Sequence, residues 1–285
     1  MCIRDRAWAL LNAGHLEHAA ARHADALERY ARARALFEAT GCATGSAVVA
    51  LAAGRAFADL GAADEAEAEA RQAGAGGDAT GSRWIVAQAQ AVLAEAARAR
   101  GDGVEARAAL DRAMTLALAL GNVPLRAELV LRRAELDLEA AEESGAAPAE
   151  ATRALAAYEK IPSGARTVTD DLRASLLHAS LGRLGATSPP TEEDTRRLAL
   201  AEGKAARAME VAEVRRLPEL AWRAAAVRSR VRRARHDAEG ELADLVRALE
   251  LLRGVAASLP ESRRASYLAH PERVSVRERF IRLRG

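Results

Sequence analysis

A glycine that recurs at a fixed distance before small residues is the feature that most limits how this chain can fold. The glycine is followed by alanine five residues later, and then by two small or apolar residues four and seven positions further on. The two clearest copies of this pattern are Gly61, Ala66, Ala70, Ala73 and Gly101, Ala106, Leu110, Ala113. The glycines lie 40 residues apart (101 − 61), a spacing typical of stacked helical hairpins.

The pattern has a direct physical meaning where two helices cross. Glycine ends the first helix because it accepts a positive φ, and small side chains at i, i+4 and i+7 let the two backbones approach each other. One hairpin covers only part of its apolar stripe, so hairpins of this kind are stable only as a stack. We assign a third copy of the pattern to Gly14, Ala19, His23 and Ala26.

The segment from Gly101 to Gly121 is accordingly predicted to be the second helix of one hairpin. The residues expected to face the first helix of that hairpin are Ala106, Leu110 and Ala113. Those expected to cover the helix against its other neighbours are Leu116, Leu118 and Leu120.

Composition favours helices throughout the chain. Half of the residues are apolar but only 3% are aromatic, and alanine dominates the apolar set, which suits closely packed helices more than a core of large side chains. We therefore predict an all-α fold, a right-handed α-solenoid of about six stacked helical hairpins. Helices are predicted at 7–13, 16–39, 45–60, 63–73, 82–100, 103–120, 123–143, 148–160, 166–184, 191–214, 218–235 and 239–258.

Three local features qualify this helix map. Gly185 to Asp194 contains Pro-Pro and is predicted to be a loop that enters a helix capped by Thr191. Asp170 and Asp171 are expected to cap the helix that begins near them. Ala73 to Gly81 is glycine-rich, but it follows a helix and lacks the Gly-Lys-Ser/Thr ending of a phosphate-binding loop, so we predict a loop between repeats.

Charge and cysteine content exclude several classes of protein. The 42 basic and 40 acidic residues give a net charge of +2, so the chain as a whole is not strongly attracted to nucleic acid or membranes. It has no run of about 18 apolar residues that could cross a bilayer. Cys2 and Cys42 are too few for a disulfide framework. We expect a cytoplasmic protein without a membrane partner or a cofactor.

The chain divides into three parts at the level of sequence. Residues 1–6, MCIRDR, resemble the translated remnant of a sequencing adapter, so they are left out of the fold prediction and the natural protein is expected to extend further upstream. Residues 7–260 are predicted to form the helical repeat domain, and residues 261–285 a basic C-terminal extension.

The repeat resembles the tetratricopeptide family, in the looser form with units of about 40 residues. The matching small and aromatic positions are Gly54, Phe57, Gly61, Ala66, Ala70 and Ala73 in one unit, and Ala94, Gly101, Ala106, Leu110, Ala113 and Met114 in the next. The consensus Trp and closing Pro are missing from both units, and residues 123–220 align poorly. The resemblance implies a non-catalytic scaffold for protein–protein interaction.

The C-terminal third carries a second resemblance. Leu220 to Arg273 looks like the last repeat of helical arrays that follow kinase or ATPase modules in multidomain bacterial regulators. This implies that the chain is a regulatory fragment of a larger bacterial signalling protein, although no residue of such a module lies within it.

The tetratricopeptide resemblance also implies where a ligand binds. In that family the concave groove is lined by the first helix of each hairpin. Carried over by alignment, the groove residues are Arg55, Gln88, Glu95, Arg98, Arg230 and Arg233. The implied partner is a protein or peptide, and an acidic or phosphorylated one fits the arginines.

Catalytic and metal sites find little support in the sequence. His15 and His18 stand three residues apart and His23 follows, but no carboxylate or cysteine completes a metal site at useful spacing. The chain shows no nucleophile elbow, no Ser-His-Asp order and no zincin helix, and the alternating EAEAEA run from Glu65 is typical of a solvated helix face. We therefore predict that the chain is not an enzyme and binds no metal.

The arginine-rich segment from Trp222 to His236 leaves an alternative open. Its arginines spread over several faces of a helix, which is typical of a solvated terminal repeat whose arginine stems cover apolar surface. The same residues could bind nucleic acid, which defines the alternative function, a nucleic-acid-binding helical repeat. Apart from Trp222 the segment has no aromatic residue, which counts against single-strand binding.

Overall fold

The computed structural model of the chain describes residues 2–184 and 191–284. Within them the chain forms fourteen α-helices and one short 3₁₀ turn, Ser163–Ala165, and no strand. The helices are α1 Ile3–Ala19, α2 His23–Ala39, α3 Ala43–Asp59, α4 Ala63–Thr80, α5 Arg83–Ala99, α6 Gly103–Ala119, α7 Val123–Ser144, α8 Ala149–Glu159, α9 Val168–Leu184, α10 Glu192–Arg215, α11 Pro218–Ala234, α12 Ala238–Ser258, α13 Glu261–Ala269 and α14 Pro271–Arg284. Consecutive helices pack as hairpins, which confirms the predicted all-α stack of helical hairpins.

A left-handed turn residue follows each of the first six helices. These residues, all with φ between 60° and 79°, are Ala21, Gly41, Gly61, Gly81, Gly101 and Gly121. At Gly61 the backbone N–H of Ala62 donates to the carbonyl of Phe57 at 2.9 Å, which closes the helix end in the manner of a Schellman motif. The turns recur every 20 residues, so the 40-residue period seen in the sequence is one complete hairpin.

The register predicted for the first hairpin is wrong. Gly14 lies inside α1, where the Tyr30 ring packs so closely that an added Cβ would stand 2.4 Å from it. The turn is at Ala21, so residues 16–39 are not one helix but the end of α1 and the whole of α2. The residues at the matching repeat positions after this turn, all fully buried, are Ala26, Tyr30 and Ala33.

The glycine-rich loop predicted at residues 73–81 is also wrong, because α4 continues through Thr80. Three glycines within it pack against neighbouring helices. A Cβ on Gly76 would stand 2.7 Å from that of Ala47, and one on Gly77 would stand 2.9 Å from Val86. Close packing therefore keeps this segment helical despite the low helix propensity of glycine.

Helix α6 confirms one part of its prediction and contradicts another. Ala106, Leu110 and Ala113 are buried, as expected for the face toward α5. Leu118 and Leu120, which were expected to be covered, are 54% and 41% exposed. Residues two positions apart lie on nearly opposite sides of a helix, so Leu118 and Leu120 cannot both share its buried face with Leu116.

The described helices form two compact units. Unit 1 comprises residues 1–122 and 255–271, and unit 2 comprises residues 123–254 and 272–285. In unit 1, α13 packs against the turns of the first hairpins. The Ser266 hydroxyl donates to the Leu60 carbonyl at 2.9 Å, Arg263 pairs with Glu65 at 2.6 Å, and Tyr267 is fully buried near the His23 ring. The helix map gave neither α13 nor α14, and it left residues 3–6, which form the first turn of α1, out of the fold.

Unit 2 has its own core around α7, α8 and α9. Its buried residues include Ala127, Leu131, Leu155, Tyr158 and Leu177. Asp170 and Thr191 take part in helix caps, as expected, whereas Asp171, which was also expected to cap, instead accepts hydrogen bonds from Tyr158 at 3.1 Å and Lys204 at 2.6 Å. Asp170 and Asp194 complete capping boxes with Thr167 and Thr191, whose hydroxyls donate to these carboxylates at 2.7 and 2.6 Å. The rest of the predicted loop, residues 185–190, lies outside the described residues.

We expect Ala21→Gly to stabilise the protein. A non-glycine residue in the left-handed region is strained, and glycine relieves this strain. Glycine also increases the conformational entropy of the unfolded chain, which offsets part of the gain. The free energy of unfolding should therefore rise by roughly 0.5–1 kcal/mol. Urea unfolding measures the change.

Gly41→Ala is the matched control, because Gly41 has φ 62° and nothing lies within 4 Å of an added Cβ. This change should lower stability by a similar amount. A lower stability for Ala21→Gly would contradict the assignment of this turn.

Candidate functional site

The residues predicted to line a groove are divided between the two units. Arg55, on α3, and Gln88, Glu95 and Arg98, on α5, belong to unit 1, while Arg230 and Arg233, on α11, belong to unit 2. In unit 1 the Arg55 guanidinium donates to the Gln88 side-chain oxygen. Gln88 is only 7% exposed, so its amide mainly holds Arg55 in place between two first helices of consecutive hairpins. Glu95 and Arg98 are half-buried.

Unit 2 contains a cleft between the first helices of three consecutive hairpins, α7, α9 and α11, with α14 along one side. The volume that it encloses is about 50 Å³, which is smaller than the ~300–1,000 Å³ of small-molecule pockets and suits part of one side chain. Its lining residues are Glu135, Thr169, Leu172, Arg173, Leu176, Trp222, Arg223, Ala226, Val227, Arg230, Glu272 and Val276. We call this surface the α9–α11 cleft.

Helical periodicity explains why these residues share one surface. On α11, Trp222, Ala226 and Arg230 follow one another at intervals of four residues and therefore lie on one face. On α9, Leu172 and Leu176 have the same spacing. The cleft therefore has apolar side chains from both helices facing each other, with Arg230 at one end of the α11 row.

A buried ion pair joins two walls of the α9–α11 cleft. Arg173, on α9, places its Nη1 at 2.9 and 2.7 Å from the two carboxylate oxygens of Glu135, on α7. The Glu135 side chain is only 6% exposed. A carboxylate this buried is costly unless it is paired, so the arginine keeps the two helices in register.

A second network fixes α14 to α11. The indole N–H of Trp222 donates to Glu219 at 2.6 Å, and the same carboxylate lies 3.6 Å from the guanidinium of Arg273. Arg273 is buried and its guanidinium carbon stands 5.7 Å from the centre of the Trp222 ring. Arg223 pairs with Glu272 at 3.4 Å. The side of the cleft formed by α14 is thus held by an aromatic ring and charged groups.

The charge of the α9–α11 cleft favours an anionic ligand. Its lining contains three arginines and two glutamates, which gives 3 − 2 = +1. Of the two arginines predicted on α11, Arg230 lines the cleft, whereas Arg233 is exposed and is not among its lining residues.

Sequence reasoning missed Glu135 and Arg173 because they lie in the poorly aligned region, and Glu272 because it lies in the predicted extension. The long separation of Glu135 and Arg173 leaves no local signal in the sequence.

The other arginines of α11 are engaged in ion pairs. Arg228 lies 3.2 Å from Asp244, and Arg232 lies 2.6 Å from Asp237 and 3.0 Å from Asp244. Hydrogen bonds to these two carboxylates raise the pKa of Arg232. Arg235 pairs with Glu202 at 2.7 Å. Much of the basic charge that the sequence concentrates here is therefore neutralised within unit 2.

The histidines near the N-terminus take part in packing. Tyr30 and His15 are hydrogen-bonded at 3.1 Å, burial lowers the pKa of His15, and the rings of His18 and His23 lie 5.3 Å apart. Among residues 2–184 and 191–284, no group of three or more His, Cys, Asp or Glu side chains is placed to hold a metal ion. No helix in the same part of the chain has the length and apolarity needed to cross a membrane.

We expect Glu135→Leu and Arg173→Leu each to destabilise the protein. Removing one partner leaves a poorly solvated charge, a loss of about 3 kcal/mol by comparison with other buried pairs. The double variant removes both members of this ion pair and should lose less than the sum of the two single changes. Chemical denaturation of the four proteins measures this coupling, and strictly additive losses would show that the two side chains do not interact.

Comparison with known proteins identifies the fold. No protein-family model matches the chain and no curated protein matches its sequence. The similar solved structures include a Rap protein complexed with Competence and Sporulation Factor, and the Rap conjugation gene regulator of the plasmid pLS20 in complex with the Phr* peptide. Both superpose with a TM-score of 0.59, at 13% and 14% identity, over 98% and 96% of this chain and 74% of each of theirs. The chain therefore shares a helical-repeat fold with these Rap proteins.

Proposed function

We propose that this chain is a non-catalytic, regulatory helical-repeat module that binds a peptide or a segment of a partner protein. The α9–α11 cleft is the observation that carries this proposal. It lies between the first helices of consecutive hairpins, the position that the tetratricopeptide resemblance implies for a ligand groove, and it combines apolar walls with arginine. Stacked hairpins supply the rigid walls that such a site needs.

The lining residues define the kind of segment that fits. Leu176 and Ala226, which are half-buried, offer apolar surface for one side chain of the ligand. Arg230, beside them, offers a guanidinium for a carboxylate, and the net charge of the lining is positive. An acidic peptide that carries an apolar residue next to a carboxylate meets both conditions. The side chains predicted in unit 1, Arg55, Gln88, Glu95 and Arg98, are proposed to contact a second part of a longer partner.

The two Rap structures support a peptide as the ligand. One is a complex with Competence and Sporulation Factor and the other a complex with the Phr* peptide. We extend peptide binding from those proteins to this chain because its α9–α11 cleft can accept a side chain. We assign the chain to the tetratricopeptide-like repeats on the same basis.

The wider setting is part of the same proposal. The residues from Leu220 to Arg273 resemble helical arrays linked to kinase or ATPase modules, so we infer a cytoplasmic bacterial signalling protein in which such a module is joined to this one. Sequencing the intact gene upstream of Ala7 tests the inference. A kinase or ATPase reading frame continuous with this chain would support it, and an upstream stop codon in frame would overturn it.

The ion pairs of α11 count against the nucleic-acid alternative. Arg228, Arg232 and Arg235 already have carboxylate partners, and a phosphate backbone would have to displace them. A fluorescent single-stranded oligonucleotide tests the alternative directly. We expect no binding at physiological salt, whereas tight binding that falls steeply with added salt would favour the alternative.

Peptide selection followed by one matched pair of variants tests the main proposal. Peptides enriched from a displayed random library on the whole chain should carry an acidic residue beside an apolar one. Arg230→Ala should weaken their binding about tenfold, close to 1.4 kcal/mol, because it removes the cation that lines the cleft. Isothermal titration calorimetry measures the affinities.

Arg233→Ala is the control, since it removes the same charge one turn further along α11, outside the cleft lining. It should leave affinity within about twofold, a difference below 0.5 kcal/mol. Equal loss in both variants would mean that binding follows overall charge. No loss in either variant, or the failure to enrich any peptide, would place the ligand elsewhere.

A further inference from the structure

Unit 2 has a second cleft that shares no residue with the first. It lies between the start of α7, the exposed side of α8 and the segment that follows α8. Its lining residues are Val123, Arg126, Arg153, Ala156, Ala157, Lys160, Ile161 and Pro162. We call it the α7–α8 cleft.

The spacing along α8 creates this surface. Arg153, Ala156, Ala157 and Lys160 stand at i, i+3, i+4 and i+7, so they share one face. The opposite face of α8 carries Ala151, Leu155 and Tyr158, which are buried in the core of unit 2. The cationic residues and the small residues between them are therefore presented outward on a helix whose position is fixed by packing.

The lining of the α7–α8 cleft has three cations and no acidic residue. Elsewhere in unit 2, Arg173 and Lys204, for example, have carboxylates at 2.7 and 2.6 Å. Lys160 and Arg126 form no ion pair with any residue of the described chain, and the buried Nε of Arg126 has no hydrogen-bond partner there. Arg153 pairs only with the exposed Glu150 on its own helix.

Helix capping does not account for Lys160. A cation at the end of α8 could in principle interact with the last carbonyl groups of the helix. Arg166 already performs this role, since its guanidinium donates to the carbonyls of Glu159 at 2.6 Å and Ile161 at 2.7 Å. The ammonium group of Lys160 therefore adds charge to the cleft without a structural partner.

The chemistry of a matching ligand follows from these groups. Three cations, together with the positive end of the α7 dipole at Val123, match a dianion better than a single carboxylate. Phosphate monoesters carry about −1.5 to −2 charges near neutral pH and offer three acceptor oxygens. Val123, Ile161 and Pro162 provide apolar surface beside the charges, which an organic group attached to the phosphate would cover.

We propose that the α7–α8 cleft binds a phosphorylated side chain of a partner protein. Lys160, Arg126 and Arg153 contact the phosphate oxygens, and the apolar residues at the rim contact the stem of the modified side chain. This site is separate from the peptide site of the α9–α11 cleft, so either proposal can fail without the other.

The test uses the whole chain and a labelled alanine-based peptide that carries one phosphotyrosine, followed by fluorescence anisotropy. We expect saturable binding that the same peptide with unmodified tyrosine does not show. Lys160→Gln should lower the affinity at least about tenfold, and Arg126→Gln should have a similar effect. Inorganic phosphate should compete only weakly, because it lacks the apolar group.

Arg207→Gln is the control, because Arg207 is an exposed arginine of α10 outside both clefts. It should bind the phosphopeptide as the wild-type chain does. Equal weakening in Arg207→Gln and Lys160→Gln would show that binding depends on the overall charge of the chain, and it would overturn the proposal. Equal affinity for the two forms of the peptide, or competition by inorganic phosphate at the concentrations at which the peptide binds, would also overturn it. Thermal unfolding of each variant confirms that the exposed Lys160 can be replaced without loss of the fold.

Discussion

Close approach between helices is the constraint on which the rest of this structure depends. A core that is rich in alanine gains little from each side chain, so it must bring backbones near one another to exclude water. The chain has glycine at positions where a neighbouring aromatic ring packs directly against the helix backbone. Gly14 lies under Tyr30 and Gly45 lies under Phe37, each so near that a Cβ would stand 2.4 Å from the ring. Three further close contacts, at Gly54, Gly76 and Gly77, serve α3 and α4 in the same way.

The evenly spaced turns make such packing repeatable. Helices α1, α2, α3, α5 and α6 have 17 residues each, and each of the first six turns contains one left-handed residue. Within each unit the first helix of one hairpin consequently contacts the first helix of the next, as α3 contacts α5 and α9 contacts α11. Side chains on these first helices are therefore brought together from distant parts of the sequence. A binding surface can arise there without any local sequence motif.

The distribution of charge separates the two clefts from the remainder of unit 2. Buried carboxylates such as Glu135 are tolerable only with a cation beside them, and Arg173, Arg228, Arg232 and Arg279 are used in that way. The lining of the α9–α11 cleft contains three arginines and two glutamates, and the lining of the α7–α8 cleft contains three cations and no acidic residue. A near-neutral chain thus carries local positive charge at two sites, which the overall composition does not reveal.

The sequence by itself determined the all-α fold and most of the helices from α3 to α12, because turns, caps and helical periodicity are local. It predicted Thr191 as a cap, the 40-residue hairpin and the buried face of α6. Tertiary structure alone decided the rest. Ala21 is held in a left-handed turn, and the glycines of α4 stay helical, because surrounding contacts outweigh propensity. The separation of Arg230 from Arg233, and the pairing of Glu135 with Arg173 across 38 residues, depend on how helices pack side by side, which a single sequence does not specify.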